Sequence, residues 1–284
     1  MGRLAPISFR SMQARALCTL RYSISRLSIS AEDLTLFTKT LILAKPWIGN
    51  STALAVPWRE VARPSRLRIG LFQEDPVYPV HPPVRRALRL AAQRLEATGH
   101  QIITPDQCPS LRKAVTILSR GFSLDTSHAA MRHLAEAGEE PILPLVKMAQ
   151  SSQIEQREAG LEDVWRFRAE RYEYREEWGT VWRENSLDIL LCPGYQGVGA
   201  RHDHVGVPFY SAVWNLLDFP ASVVPFQKAD RSVDTQEVPG YDPILVDGVP
   251  AHIQIVGWRF QDEEALSATE VISEALRDTV DPRL

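Results

Sequence analysis

Between Ser186 and Gly257 the chain carries three buried-looking segments in a fixed order, and these constrain the fold more than any other stretch. The first is Leu187-Asp188-Ile189-Leu190-Leu191-Cys192-Pro193. The second runs from Trp214 through Phe219-Pro220 to Ala221-Ser222-Val223-Val224-Pro225, and the third from Gly248 through His252-Ile253-Gln254-Ile255-Val256 to Gly257. Short apolar runs bounded by Gly, Pro and Asp read as strands with both faces covered, here Leu187–Cys192, Ala221–Phe226 and His252–Val256.

Two further strands flank a helix upstream. Leu67-Arg68-Ile69-Gly70-Leu71-Phe72 and His100-Gln101-Ile102-Ile103-Thr104-Pro105 bracket a run from Val84 to Thr98 that puts Val84, Leu88, Ala91, Ala92 and Leu95 on one face. Pro83 suits its first turn and Gly99 its end. Strand, long helix, strand is a right-handed parallel crossover. Helical spacing also marks Leu34 to Ala44 after a Ser30 cap, Pro109 to about Gln150 with a break near Gly138, Leu161 to Glu184, Ser211 to Leu217, and Asp262 to Arg277. The aromatics Trp165, Tyr172, Trp178 and Trp182 of the charged helix read as packing residues, since a base-stacking role needs a basic surface. The pattern is one α/β domain.

Composition narrows the partners. A net charge of -3 gives no electrostatic reason for nucleic acid binding. Cys18, Cys108 and Cys192 are too widely spaced for a zinc site or disulfide framework and fit a reducing, cytoplasmic setting. No apolar run approaches the ~18 residues of a membrane span, so no membrane partner is expected. Residues 1–29 stand apart, with Arg3, Arg10, Arg15, Arg21 and Arg26, several Ser and no acid. A mitochondrial transit peptide has this composition, and so does an atypical or wrongly joined N-terminus. The lack of a clear amphipathic helix favours the second. Either way residues 1–29 are expected to be poorly ordered, with residues 30–284 forming the folded domain.

Ser30-Ala31-Glu32-Asp33-Leu34, Lys45-Pro46-Trp47, Pro57-Trp58-Arg59, His81-Pro82-Pro83-Val84, the three apolar segments, and Gly257 followed by Asp262-Glu263 occur in one order. Each fragment is weak alone, but together, over about residues 28–280, they resemble the amidase signature family, in its fungal acetamidase-like branch. The resemblance implies the C-terminal portion of the amidase fold, a mixed β-sheet flanked by helices. It implies a small amide substrate, no cofactor and no metal. It places Trp214, Asn215, Phe219 and Pro220 near the acyl pocket, with Gln254 on the neighbouring strand; ordinary core and turn roles account equally for the same residues. The family's Lys and two Ser, with their oxyanion donors, precede the segment that begins here at Ser30. Residues 1–29 hold one Gly and no Lys, so no catalytic residue is assigned. The expectation is a truncated form or pseudoenzyme, inactive alone. The alternatives are an amidase completed by a partner chain and a non-catalytic binding module.

Amide hydrolysis through a covalent intermediate requires a hydroxyl beside a base and donors where the oxyanion develops. Gly121-Phe122-Ser123-Leu124-Asp125 lacks the second Gly of a nucleophile elbow. Ser110-Leu111-Arg112-Lys113 has Ser-x-x-Lys spacing without its companion motifs, and Ser110 reads as a helix cap. His202-Asp203-His204 lacks a third metal ligand. His81, His128, His133 and His252 are scattered, and read as capping, surface or satisfied core residues. Gly197-Val198-Gly199 hints at a phosphate cradle but lacks the full glycine pattern. A sheet without its first half bares strand edges, which predicts self-association through them.

Overall fold

The computed structural model describes residues 5–9, 24–28, 30–51, 53–124, 129–143, 146, 159–200 and 205–277. The strands are β1 (Ala5–Phe9), β2 (Ile24–Ser28), β3 (Arg68–Leu71), β4 (Gln101–Ile103), β5 (Ile189–Cys192), β6 (Ala221–Lys228) and β7 (Pro250–Gly257). They form one seven-stranded sheet in the order β2-β1-β6-β7-β5-β3-β4. β3 runs parallel to β4 and β5, whereas β7 is antiparallel to β5 and β6, and β1 is antiparallel to β6 and β2. The sheet is therefore mixed, and β3 to β7 are the five strands that the apolar runs predict. Inside the Arg-rich N-terminal segment, where composition predicts poor order, the structure describes β1 and β2, with Ile7 of β1 in register with Ser222.

Helix boundaries follow local chemistry. Helix α1 (Ala31–Leu43) starts at Ser30, whose Oγ accepts the Asp33 N–H at 3.1 Å, and Glu32 and Asp33 complement the positive helix terminus. Helix α2 (Pro82–Ala97) opens on two prolines and ends before Gly99, whose φ of 95° suits a residue without Cβ. Helix α3 (Leu111–Ser123) is followed by α4 (Ala129–Ala137), which stops at Gly138. Helix α5 (Leu161–Asn185) begins at Gly160, whose N–H donates to Asp163 Oδ2. Two more helices, α6 (Phe209–Leu217) and α7 (Asp262–Arg277), complete the set.

Helices α2 and α7 cover the sheet face that carries Ser222, Val224 and Phe226. Ser222 and Thr269 share a 2.6 Å hydroxyl bond across that interface, and the Arg94 guanidinium lies over the Phe226 ring. The register puts Cys192 and Gln254 on the opposite face. On that side α3, α5 and α6 pack together. Between them, Trp178, Trp182, Trp214, Phe219, Phe72 and Trp258 form edge-on, tilted and, for Trp214–Phe219, stacked ring contacts with centroids 4.8–6.4 Å apart. Each pair contributes about 0.5–1.5 kcal/mol beyond its buried area. The packing role expected for the α5 aromatics holds for Trp178 and Trp182 and fails for Trp165 and Tyr172, each 61% exposed. Buried Phe167 stands two positions beyond Trp165, a rotation of about 200° on a helix. Composition does not reveal which face turns inward.

Candidate functional site

Because β3 and β5 are parallel, the loops that leave them emerge on the same side of the sheet. The His81 N–H donates to the Gln196 carbonyl at 2.8 Å, and Gln196 Nε2 donates to the Pro79 carbonyl at 2.8 Å, so the two loops are stitched together. Asp75, 4% exposed, receives the Val77 N–H on Oδ1 and the Leu111 N–H on Oδ2, both at 2.8 Å. Its own N–H donates to the Tyr210 hydroxyl, which donates on to the Tyr78 carbonyl. The Asp75 carboxylate thereby ties the β3 loop to the start of α3, and its backbone N–H ties the same loop, through Tyr210, to α6. The excursion between β6 and β7 reaches the same rim. Arg86 holds Asp234, Arg85 bridges Glu74 and Gln236, and the Tyr241 ring leans on His81. Open α/β sheets take ligands at this carboxyl end of their parallel strands.

The loop after β5 passes between two imidazoles. A Cβ on Gly194 would lie 3.0 Å from the His252 ring and 3.1 Å from Val223, and one on Gly197 would lie 2.9 Å from His81 Nδ1. Gly194 and Gly197 therefore make room for rings, and Gly199, where a Cβ would lie 3.1 Å from Val249, makes room for an aliphatic side chain. His252, on β7, accepts the Tyr195 N–H on Nε2 at 2.9 Å, and burial pushes its imidazole down to about 4. Burial also lowers His81. The Tyr195 hydroxyl accepts the Gly206 N–H at 3.0 Å, which links this loop to the segment entering α6.

The five pocket candidates fall into three places. Gln254 is 3% exposed and accepts the Cys192 thiol at 3.6 Å. Trp214 is fully buried on α6; its indole N–H lies near enough to the Cys192 thiol to oppose the rise that burial gives that group, yet makes no bond of normal geometry. Trp214 and Gln254 thus flank Cys192 on one sheet face. Phe219 stacks on Trp214, and Pro220 is buried at the start of β6, where its carbonyl accepts the Gly257 N–H, at the far end of the sheet from Gly194. Asn215 lies on the exposed side of α6.

The other candidates resolve plainly. Ser110 caps α3 by accepting the Arg112 N–H, and Lys113 pairs with Glu177 on α5. Ser123 lies in the last turn of α3 and donates to the Arg120 carbonyl, so it sits on no strand-to-helix elbow. His133 faces Glu136 on the surface. His128, His202, Asp203 and His204 lie outside the described residues. Among the described residues no group of three His, Cys, Asp or Glu is placed to hold a metal, and no helix is long and apolar enough to cross a membrane. Sequence reasoning missed Asp75, Asp234 and the His252–Tyr195 bond. Asp75-Pro76 directly after a strand was the one available signal; the rest depend on long-range contacts.

A parallel β4-β3-β5 side joined to an antiparallel β7-β6-β1-β2 side defines a mixed-sheet α/β protein. The family model described as Amidase matches residues 6–266, and the chain belongs to that family. The match opens well before residue 28, where the resemblance read from the sequence starts. An amidase of Gibberella moniliformis is 44% identical over 249 residues, which cover 87% of this chain and 46% of that protein. An acetamidase of Emericella nidulans is 27% identical over 291 residues, 93% of this chain and 52% of that protein. Among solved structures, a fatty acid amide hydrolase superposes with a TM-score of 0.83 at 24% identity, covering 98% of this chain and 53% of that one. The chain spans about half the length of the curated relatives it matches.

Proposed function

We propose that these residues form the C-terminal, substrate-side portion of a hydrolase of carboxamide C–N bonds, and that turnover requires a Lys-Ser-Ser machinery supplied from outside them. The observation that carries this reading is the amidase match across residues 6–266 together with coverage of about half of each relative. Supporting it, Ser110 and Lys113, which have the Ser-x-x-Lys spacing, are engaged elsewhere, as a cap and in an ion pair. In this reading the substrate lies at the carboxyl end of β3 and β5, and Trp214 and Gln254 back the acyl side of the pocket. Phe219 and Pro220 hold Trp214 and the start of β6 in place, and Asn215 faces the segment that completes the site. The test mixes the purified chain with the half of the Gibberella moniliformis amidase that it does not match, and follows hydrolysis of acetamide and an aryl amide. Activity in the mixture and in neither part alone is expected. Amide binding without turnover in the mixture would instead single out a non-catalytic binding module.

A further inference from the structure

The loop from Pro193 to Gly199 is the part of the candidate site whose position is most closely dictated by single groups. Gly194 has no side chain, and its Cβ position is already occupied to within 3.1 Å by His252 and Val223. The next residue, Tyr195, gives its N–H to His252 Nε2 at 2.9 Å. Two residues further, Gly197 meets the His81 ring in the same way, while the His81 N–H holds the Gln196 carbonyl. The loop is thus pinned on one side by a strand residue and on the other by the start of α2. At the outer end of Tyr195, the hydroxyl accepts the Gly206 N–H and carries the order into the approach to α6.

We infer that His252 is a positioning residue, which fixes the Gly194–Gly199 loop over the carboxyl end of the sheet by accepting the Tyr195 N–H. The bond sets the chemistry of the ring. An imidazole that accepts at Nε2 carries its proton on Nδ1, and it stops accepting once Nε2 is protonated. A side chain of similar bulk without an acceptor leaves the Tyr195 N–H unpaired in a half-buried place, and the loop then has no reason to keep this path. The inference rests on the proposed function only for what the loop does, which is to wall the amide site; the positioning itself stands on geometry.

The experiment uses the full chain with His252→Phe, His252→Gln and Gly194→Ala. Amide hydrogen exchange at Tyr195 and the ¹⁵N shifts of the His252 ring are read beside acetamide and benzamide affinity. In the parent protein, Nε2 shows the shift of an unprotonated nitrogen and Nδ1 that of a protonated one. Phe removes the acceptor and speeds exchange at Tyr195 by about tenfold or more, whereas Gln, which keeps an acceptor, restores most of the protection. Gly194→Ala crowds the ring with the acceptor intact and also loosens the loop. Unchanged Tyr195 exchange in the Phe variant, or an Nε2-protonated ring at neutral pH, overturns the assignment. Loosened exchange with unaltered amide affinity supports the positioning role and counts against the substrate lying at this end of the sheet.

Discussion

Arg86 grips Asp234 with two parallel hydrogen bonds, Nε to Oδ1 at 2.7 Å and Nη2 to Oδ2 at 2.9 Å, across 148 residues of chain. Asp234 is 2% exposed and its Oδ2 also accepts the Asp230 N–H, while Arg86 reaches the Lys228 carbonyl. The pair fastens the long excursion between β6 and β7 to α2. Because both ends are largely shielded, desolvation offsets much of their mutual attraction, and removing one partner leaves the other charge uncompensated. Asp234→Ala is expected to cost about 3–5 kcal/mol in urea unfolding, with protease cleavage appearing first between residues 229 and 249.

Asp75 makes a comparable prediction for the β3 loop. Its carboxylate accepts two backbone N–H groups, those of Val77 and Leu111. Asp75→Ala strands the buried Leu111 N–H and loosens the part-buried Val77 turn, which costs about 1–3 kcal/mol. Asp75→Asn keeps one acceptor oxygen and retains part of that stability. Chemical denaturation of the two variants gives the ranking.

Acid should weaken the fold through its buried imidazoles. Burial lowers His252 from 6.5 to about 4, and lowers His81 and His100 in the same direction. A base whose folded pKa is depressed binds its proton more readily in the unfolded chain, so stability is full above about pH 6.5 and falls as the pH drops toward 4. The His252 share is up to about 3 kcal/mol. Unfolding free energies measured between pH 7 and 4.5 are expected to decline, with a shallower decline in His252→Phe.

The thiols should be inert in the folded protein. Cys192 is completely buried, which raises its pKa well above the ordinary thiol value, and burial pushes Cys108 up to about 11. The thiolate is the reactive form, so maleimide at pH 7.5 labels neither quickly in native buffer and both in denaturant. Mass mapping of the labelled peptides separates them from Cys18.

Much of the architecture was legible before any coordinates. The apolar runs located β3 to β7, and the Val84–Leu95 stripe gave α2 its buried face, because two-sided burial and helical periodicity both leave their mark in adjacent residues. The rim of the site was not. Tyr195 and His252 lie 57 residues apart, and Arg86 and Asp234 lie further apart still. Local pattern carries no trace of such pairs. The weak cradle hint in Gly197-Val198-Gly199 has a related cause: the space beside Gly197 is filled by His81 and that beside Gly199 by Val249, both from elsewhere in the chain.

The sheet edges give a separate expectation. Among the described strands β2 and β4 are the outer ones of the sheet, and β2 is five residues long. Unpaired edges of this kind promote association between copies. Sedimentation across a hundredfold concentration range should show mass rising with concentration; a monodisperse monomer throughout would remove self-association from the account.

The most direct measurement is steady-state hydrolysis of acetamide and an aryl amide by the purified 284-residue chain alone. The account predicts a rate equal to the uncatalysed background, because among the described residues no hydroxyl is paired with both a base and an anion-binding cradle. Sustained turnover that vanishes when the chain is unfolded would contradict it.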